Sequence, residues 1–182
     1  MNGLGDISKI LYNKALKEIE EKNITKALDF LKNAYLVDNS DIDIINLLGL
    51  CNYMKCDFSK ANFYWHKSYS KSKEDNRAET YLMILNSEDI EVMIENYNKA
   101  LEALENNDLN LALKNLKKVI RYDNKFIEPY IIMGLIYLKK KLYYSSKKSF
   151  KKAISLDRGN TKVNEYYIIA SERAMKEKLK NI

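Results

Sequence analysis

Apolar residues recur along this chain at spacings of three, four and seven, the intervals that place side chains on one stripe of an α-helix. Four segments show it most clearly: ITKALDFLKNAY, FSKANFYWHKSY, LNLALKNLKKVI and YYSSKKSFKKAI. In each, a small residue (Ala27, Ala61, Ala112, Ser146) is followed four positions later by a bulky one (Leu31, Trp65, Leu116, Phe150). Three further on comes Ala34, Ser68, Val119 or Ala153. Twelve residues before each small residue lies another, Ala15, Gly49, Ala100 or Gly134. That distance spans half a helix, a tight turn and the start of the next helix, so small residues at both places let paired helices approach closely. The pattern predicts ten helices: 6–22, 24–37, 41–55, 58–72, 76–86, 88–106, 109–122, 126–140, 143–156 and 161–179. Pro129 fits the first turn of its helix, where a missing N–H costs nothing. Gly159-Asn160 fits a helix end followed by a cap. With one Pro and five Gly in 182 residues, the turn signals that many short strands require are scarce.

Two periods organise these helices. A shift of 85 residues aligns NKALKEIEEKNITKALDFLKNAYLVDN, from Asn13, with NKALEALENNDLNLALKNLKKVIRYDN, from Asn98, without a gap. The alignment continues through Gly49-Leu50 onto Gly134-Leu135 and Trp65 onto Phe150, and sets AETYLMIL (from Ala78) against VNEYYIIA (from Val163). Two copies of one unit are expected, at 8–92 and 93–177. Within each copy a shorter period of 34 separates Ala27 from Ala61 and Ala112 from Ser146.

These residues resemble the tetratricopeptide repeat, whose pattern runs W-x2-LG-x2-Y…A-x3-F…P over about 34 residues. The fourth repeat matches best, with Met133-Gly134, Tyr137, Ser146, Phe150 and Ala153, then ISLDRGN, where Arg158 stands in place of the usual proline. The second matches at Leu48-Gly49, Ala61 and Trp65 but has Asn52 where a tyrosine is expected. The first and third keep their second helix and depart in their first, with Lys14 and Glu18, or Lys99 and Ala103, at the family's Leu and Tyr positions. A helix that opens a stack has one flank in water and tolerates charge, so both units read as stacks with their own opening helix. The resemblance implies an all-α fold, a right-handed α-solenoid of tetratricopeptide-type helix hairpins with a C-terminal capping helix. The first unit would hold two repeats plus an extra helix, 76–86, and the second two repeats plus the capping helix, 161–179. That last helix is expected to cover the exposed end with Tyr166, Ile169 and Ala170.

The resemblance also implies a surface. In the family the first helix of each pair lines the concave face, which holds an extended or helical peptide. Carried over, the groove positions are Tyr12, Leu16 and Ile19; Asn46, Leu50 and Tyr53; Tyr97, Leu101 and Leu104; Ile131, Leu135 and Leu138. All but Asn46 are apolar or aromatic. The Lys, Asn and Arg set that clamps acidic chaperone tails in some relatives is absent. At about 25 cal/mol per Å2, a few hundred square ångströms of wet apolar groove is worth several kcal/mol. Three readings stand side by side: ordinary core of a tightly wound array, a groove for an amphipathic helix or hydrophobic peptide of a partner protein, or a face for a second copy in a homodimer.

Charge adds an alternative. The formal net charge of +6 is unevenly spread: residues 114–182 carry 18 Lys/Arg against 6 Asp/Glu, and residues 1–113 carry 13 against 19. Lys147, Lys148, Lys151 and Lys152 form a stripe on the helix at 143–156, with Lys139, Lys140 and Lys141 just before it. Such a stripe invites nucleic acid or an acidic surface. Aromatic interleaving is thin, only Tyr143 and Tyr144, so a solvated face is the simpler reading and a protein or peptide partner is favoured over nucleic acid.

Catalytic and metal chemistry find no foothold. Cys51 and Cys56 are too few for a disulfide framework, and their spacing of five does not match a zinc pair. The single histidine, His66, has only Ser68 and Ser70 as helix neighbours. Carboxylates such as Glu18, Glu20 and Glu21, or Glu88, Asp89 and Glu91, read as solvated helix faces and starts. Gly3-Leu4-Gly5 precedes no strand and lacks the rest of a phosphate-loop fingerprint. No cofactor is expected. No apolar run approaches the roughly 18 residues of a membrane span and no leader pattern opens the chain, so a cytoplasmic location is the expectation.

Overall fold

The computed structural model describes residues 3–74 and 76–180, and among these every regular element is an α-helix. In chain order they are α1 (Gly3–Glu20), α2 (Ile24–Val37), α3 (Ile42–Met54), α4 (Phe58–Lys71), α5 (Arg77–Leu85), α6 (Glu88–Glu105), α7 (Leu109–Tyr122), α8 (Glu128–Lys139), α9 (Tyr143–Leu156) and α10 (Thr161–Lys180). The chain divides into two compact units, Met1–Val92 and Met93–Ile182, with the boundary inside α6. In the first unit α1 packs on α2, α2 on α3, α3 on α4 and α4 on α5. In the second, α7 packs on α8, α8 on α9, and α10 on both α9 and α8.

One turn recurs four times and sets the hairpins. Lys22, Cys56, Asn107 and Lys141, spaced by 34 and 85, all hold positive φ, between 55° and 60°. At each, two backbone bonds close the preceding helix. Lys141 N–H donates to the Leu138 carbonyl at 3.1 Å and Leu142 N–H to that of Tyr137 at 2.9 Å, and the same pair of bonds recurs at Lys22, Cys56 and Asn107. This is the Schellman arrangement, which satisfies the orphan carbonyls of a helix end. It explains why α1 stops at Glu20 and not at 22: Lys22 has already left the helix. Asp57 and Asp108 then cap the following helices, accepting from Lys60 N–H and Leu111 N–H.

Close packing inside each hairpin follows from the small residues. A Cβ on Gly49 would overlap the Trp65 indole, and one on Gly134 would lie 2.5 Å from the Phe150 ring. Ala15, Ala27, Ala61, Ala100 and Ala112 are all fully buried. Ser146 takes the alanine place in the fourth hairpin, and its hydroxyl donates to the Gly134 carbonyl at 2.8 Å, so its polarity is satisfied in the interior.

Each unit ends on a helix that closes it with the same aromatic contact. Trp65 stacks on Tyr81 of α5 with ring centres 4.9 Å apart, and Phe150 meets Tyr166 of α10 at 5.7 Å. Both members of the second pair lie 85 residues beyond the first. Ala78 and Leu85 of α5, like Val163 and Ala170 of α10, are buried beside them.

Three expectations need correction. Ile169 does not help α10 cover the unit; it is 38% exposed, and Val163 takes that role, because 163, 166 and 170 lie on one stripe that 169 does not share. The helix at 126–140 begins at Glu128, since Phe126 and Ile127 are buried ahead of it as part of the core. Gly159 adopts no positive φ and does not close α9, which ends at Leu156 where the pattern places it, while Asn160 does cap α10 through its side-chain oxygen, accepting from Val163 N–H at 3.2 Å.

Candidate functional site

The first helices of the hairpins position the predicted groove residues, and burial separates them into two groups. Asn46, Tyr97 and Ile131 are buried, at 8%, 7% and 9% exposure, and offer nothing to a partner. Tyr12, Leu16, Ile19, Leu50, Tyr53, Leu104 and Leu138 are half-buried, while Leu101 and Leu135 are exposed.

Asn46 is interior because its polar partners are there too. Its Nδ2 donates to Asn76 Oδ1 at 2.9 Å, and Asn76 exchanges hydrogen bonds with the buried Ser68 hydroxyl at 3.0 and 3.2 Å. Asn76 also caps α5 by accepting from Ala78 N–H. The Asn46 carbonyl accepts from Trp65 Nε1 at 3.2 Å. This network ties α3, α4 and α5 together at the closing end of the first unit. The sequence offers Asn46 only as the polar exception in an apolar set, since its partner Asn76 lies 30 residues away.

In the first unit, Tyr12 of α1 is held near Asp43 and Asp41 at the start of α3. Burial pushes its hydroxyl above the ordinary tyrosine range, the two aspartates add to the rise, and Arg77 of α5 opposes it. Tyr53 is held on its own hairpin, 5.7 Å from Phe58 and 5.8 Å from Trp65 between ring centres.

The lysine stripe is partly engaged within the chain. Lys139 and Lys140 donate to Asn107 Oδ1 and Asn110 Oδ1, at 2.8 and 2.6 Å. Lys55, 85 residues before Lys140, likewise reaches Thr25 at 3.1 Å, so this lysine is a repeated tie across the hairpin. Lys147 and Lys152 lie over the rings of Tyr167 and Tyr130, at 5.9 and 5.8 Å. Lys141 is the left-handed turn residue, and Lys148 and Lys151 are exposed on α9.

His66 is exposed on α4, and the shallow hollow beside it is lined by Ser59, Asn62, Phe63, Lys67 and Ser70, a set without a carboxylate to orient a base. Cys51 and Cys56 are both buried. Among the described residues, no group of three or more His, Cys, Asp or Glu side chains is placed to hold a metal ion. No helix among them is long and apolar enough to cross a membrane.

Antiparallel helix hairpins of 34-residue period, joined by one repeated turn and closed in each unit by a terminal helix, define a helical-repeat protein. Residues 127–160 match the family model of the tetratricopeptide repeat, so the chain carries a tetratricopeptide repeat at α8 and α9. Tetratricopeptide folds point to protein–protein interaction as the general class of function. Solved structures to which the chain is similar include "MamA RS-1 ArsTM double mutant", at 19% identity over 97% of this chain and 89% of that one, with a TM-score of 0.43. Another is MamA 41-end from Desulfovibrio magneticus RS-1, at 18% identity over 96% and 94%, TM-score 0.39. A third is pilF of Pseudomonas aeruginosa, at 15% identity over 96% and 72%, TM-score 0.40. No curated protein sequence matches the chain.

Proposed function

We propose that the chain is a non-catalytic adaptor of the cytoplasm that holds an amphipathic helix or hydrophobic peptide of a partner protein against its first-helix faces. One observation carries the reading. α3 (IDIINLLGLCNYM) and α8 (EPYIIMGLIYLK) are apolar around nearly their whole circumference, the mark of a helix that is covered on all sides. Yet Leu50 and Tyr53 of α3 are only half-buried, Leu138 of α8 likewise, and Leu135 is 38% exposed. On α6, Leu101 and Leu104 repeat the pattern. Oily surface left wet on such helices favours an apolar partner segment.

The test is affinity capture of partners with wild type and with Leu50→Asp plus Leu135→Asp. Both positions are already part-exposed, so the double variant should keep its far-UV circular dichroism while its partner set is lost. An unchanged partner set in a folded double variant removes the groove. If the same variant instead abolishes self-association seen by light scattering, the face belongs to a second copy.

The lysine stripe supports nucleic-acid binding less well, because Lys139, Lys140, Lys147 and Lys152 already have partners on their own chain. Retention on an oligonucleotide matrix that fades steeply with salt would speak for it.

A further inference from the structure

Within each unit the space between the two second helices is lined differently. In the first unit, Tyr35 of α2 and Tyr64 of α4 meet above α3, ring centres 5.9 Å apart and edge to face. Lys67 lies over the Tyr35 ring at 4.8 Å and donates to its hydroxyl. Burial raises the Tyr64 hydroxyl above its ordinary range. Those two rings meet between α2 and α4.

Eighty-five residues on, the counterparts of Tyr35 and Tyr64 are Ile120 and Ser149. Ser149 is 7% exposed, and its hydroxyl turns back to its own helix, donating to the Ser145 carbonyl at 2.9 Å. With both rings gone, a cleft of about 470 Å3 opens between α7 and α9. Met133, with Tyr130 and Tyr137 of α8, forms its floor and walls, and Lys148 and Lys152 of α9 stand at its edge. Lys148 replaces Phe63 of the first unit and Ser145 replaces Lys60, so an edge lysine has moved by about one turn, while Tyr130 and Tyr137 stand where the first unit has Ile45 and Asn52.

We infer that this cleft is a second peptide site, which takes an apolar or aromatic side chain from an acidic segment of a partner protein. Its volume falls within the roughly 300–1,000 Å3 of ordinary ligand sites. Tyr137, the Tyr130 ring beside Lys152 and a methionine suit a flat or branched apolar anchor. Lys148, exposed at the edge, then meets a carboxylate beside the anchor, and Lys152, lying over the Tyr130 ring, adds positive charge there. Charge complementarity extends over the surrounding chain, where residues 114–182 carry 18 basic against 6 acidic side chains. The site is distinct from the first-helix face. At 100° per residue, Tyr130, Met133 and Tyr137 lie on one side of α8, and Ile131, Leu135 and Leu138 about a third of a turn away.

The first unit supplies the variant that tests the idea. Ser149→Tyr should rebuild the ring that Tyr64 provides, filling the cleft without breaking the fold. A random dodecapeptide display library is selected on the wild-type protein and counter-selected on Ser149→Tyr. Enriched sequences should pair an aromatic or large aliphatic residue with Asp or Glu. A synthetic winner should bind Ser149→Tyr, and Lys148→Glu plus Lys152→Glu, at least about tenfold more weakly, a change of about 1.4 kcal/mol. Its binding should be unaffected by Leu50→Asp plus Leu135→Asp, which separates this site from the first-helix face. The proposal fails if no sequence discriminates wild type from Ser149→Tyr, or if the discriminating sequences are basic or lack acids. It also fails if Ser149→Tyr abolishes self-association or oligonucleotide binding instead, since either outcome names another occupant.

Discussion

At the scale of single residues, the interior depends on a few atoms of clearance. Gly134 lies against Phe150 so closely that an added methyl group would meet the ring at 2.5 Å, and Phe150 is itself held by Tyr166. The ring is fully buried between these two neighbours. Gly134→Ala should cost about 1–3 kcal/mol, as overpacking does in a dense core, and Gly49→Ala against Trp65 should cost as much. Urea unfolding midpoints measure both; a cost near zero would mean that the hairpin can spread. Ionisation gives a second residue-scale expectation. Tyr12, Tyr64 and Tyr130 all have hydroxyls raised chiefly by burial. For a group raised on folding, the stabilisation is complete below its unfolded value, near 10 for tyrosine, and is lost as pH climbs through the folded value. Stability should therefore hold through neutral pH and fall above about pH 10. Tyrosinate absorbance in the native protein should rise later than in urea, and coincident curves would contradict the burial.

At the scale of elements, the turn that joins each hairpin is built under mild strain. A residue with a Cβ in the left-handed region costs about 1–2 kcal/mol, and all four hairpin turns place one there. Lys141→Gly removes that cost at an exposed site, offset in part by glycine's greater freedom in the unfolded chain, for a net gain of about 0.5 kcal/mol. Cys56→Gly should gain less or nothing, because Cys56 is buried and its sulfur packs in the interior. Leu142, next to Lys141, sits where Asp57 and Asp108 cap their helices but makes no side-chain cap of its own. Leu142→Asp should raise the thermal midpoint through about 1 kcal/mol of capping, and an unchanged midpoint would show that α9 does not use the position. The same elements mark where sequence reading works. All ten helices are legible because a polar face or a turn signal bounds each one, and the spacings of 34 and 85 place every hairpin in phase. Burial within α3 and α8 is not legible. Both are apolar all round, so periodicity carries no phase, and nothing local says that Ile131 goes inside while Leu135 stays at the surface. Asn46 shows the same limit from the polar side, since only the fold brings Asn76 and Ser68 to it. The cleft at Ser149 was present in the 85-residue alignment as Tyr64 against Ser149. Its meaning needed the knowledge that Tyr64 meets Tyr35.

At the scale of the molecule, the chain forms two compact units, each with its own closing helix. α5 buries Ala78, Leu82 and Leu85 and stacks Tyr81 on Trp65; α10 buries Val163 and Ala170 and sets Tyr166 against Phe150. The helix pairs that pack within each body are neighbours, or next neighbours, in sequence. In such an architecture stability is a sum of local hairpin and nearest-neighbour terms, with terminal helices shielding the ends. A chain cut at the α5–α6 connection should therefore keep order on the second side. The fragment 88–182 preserves α6 whole, along with both later hairpins' turns at Asn107 and Lys141, and its closing helix. It should show a helical far-UV spectrum and one sigmoidal urea transition, with a slope smaller than that of the full chain because less surface is exposed on unfolding. Ser149→Tyr in the fragment should leave that transition in place or move it upward, since a ring fills space that the second unit leaves open. A fragment that melts without cooperativity would show that the closing helix is insufficient and that the second unit needs the first to hold it.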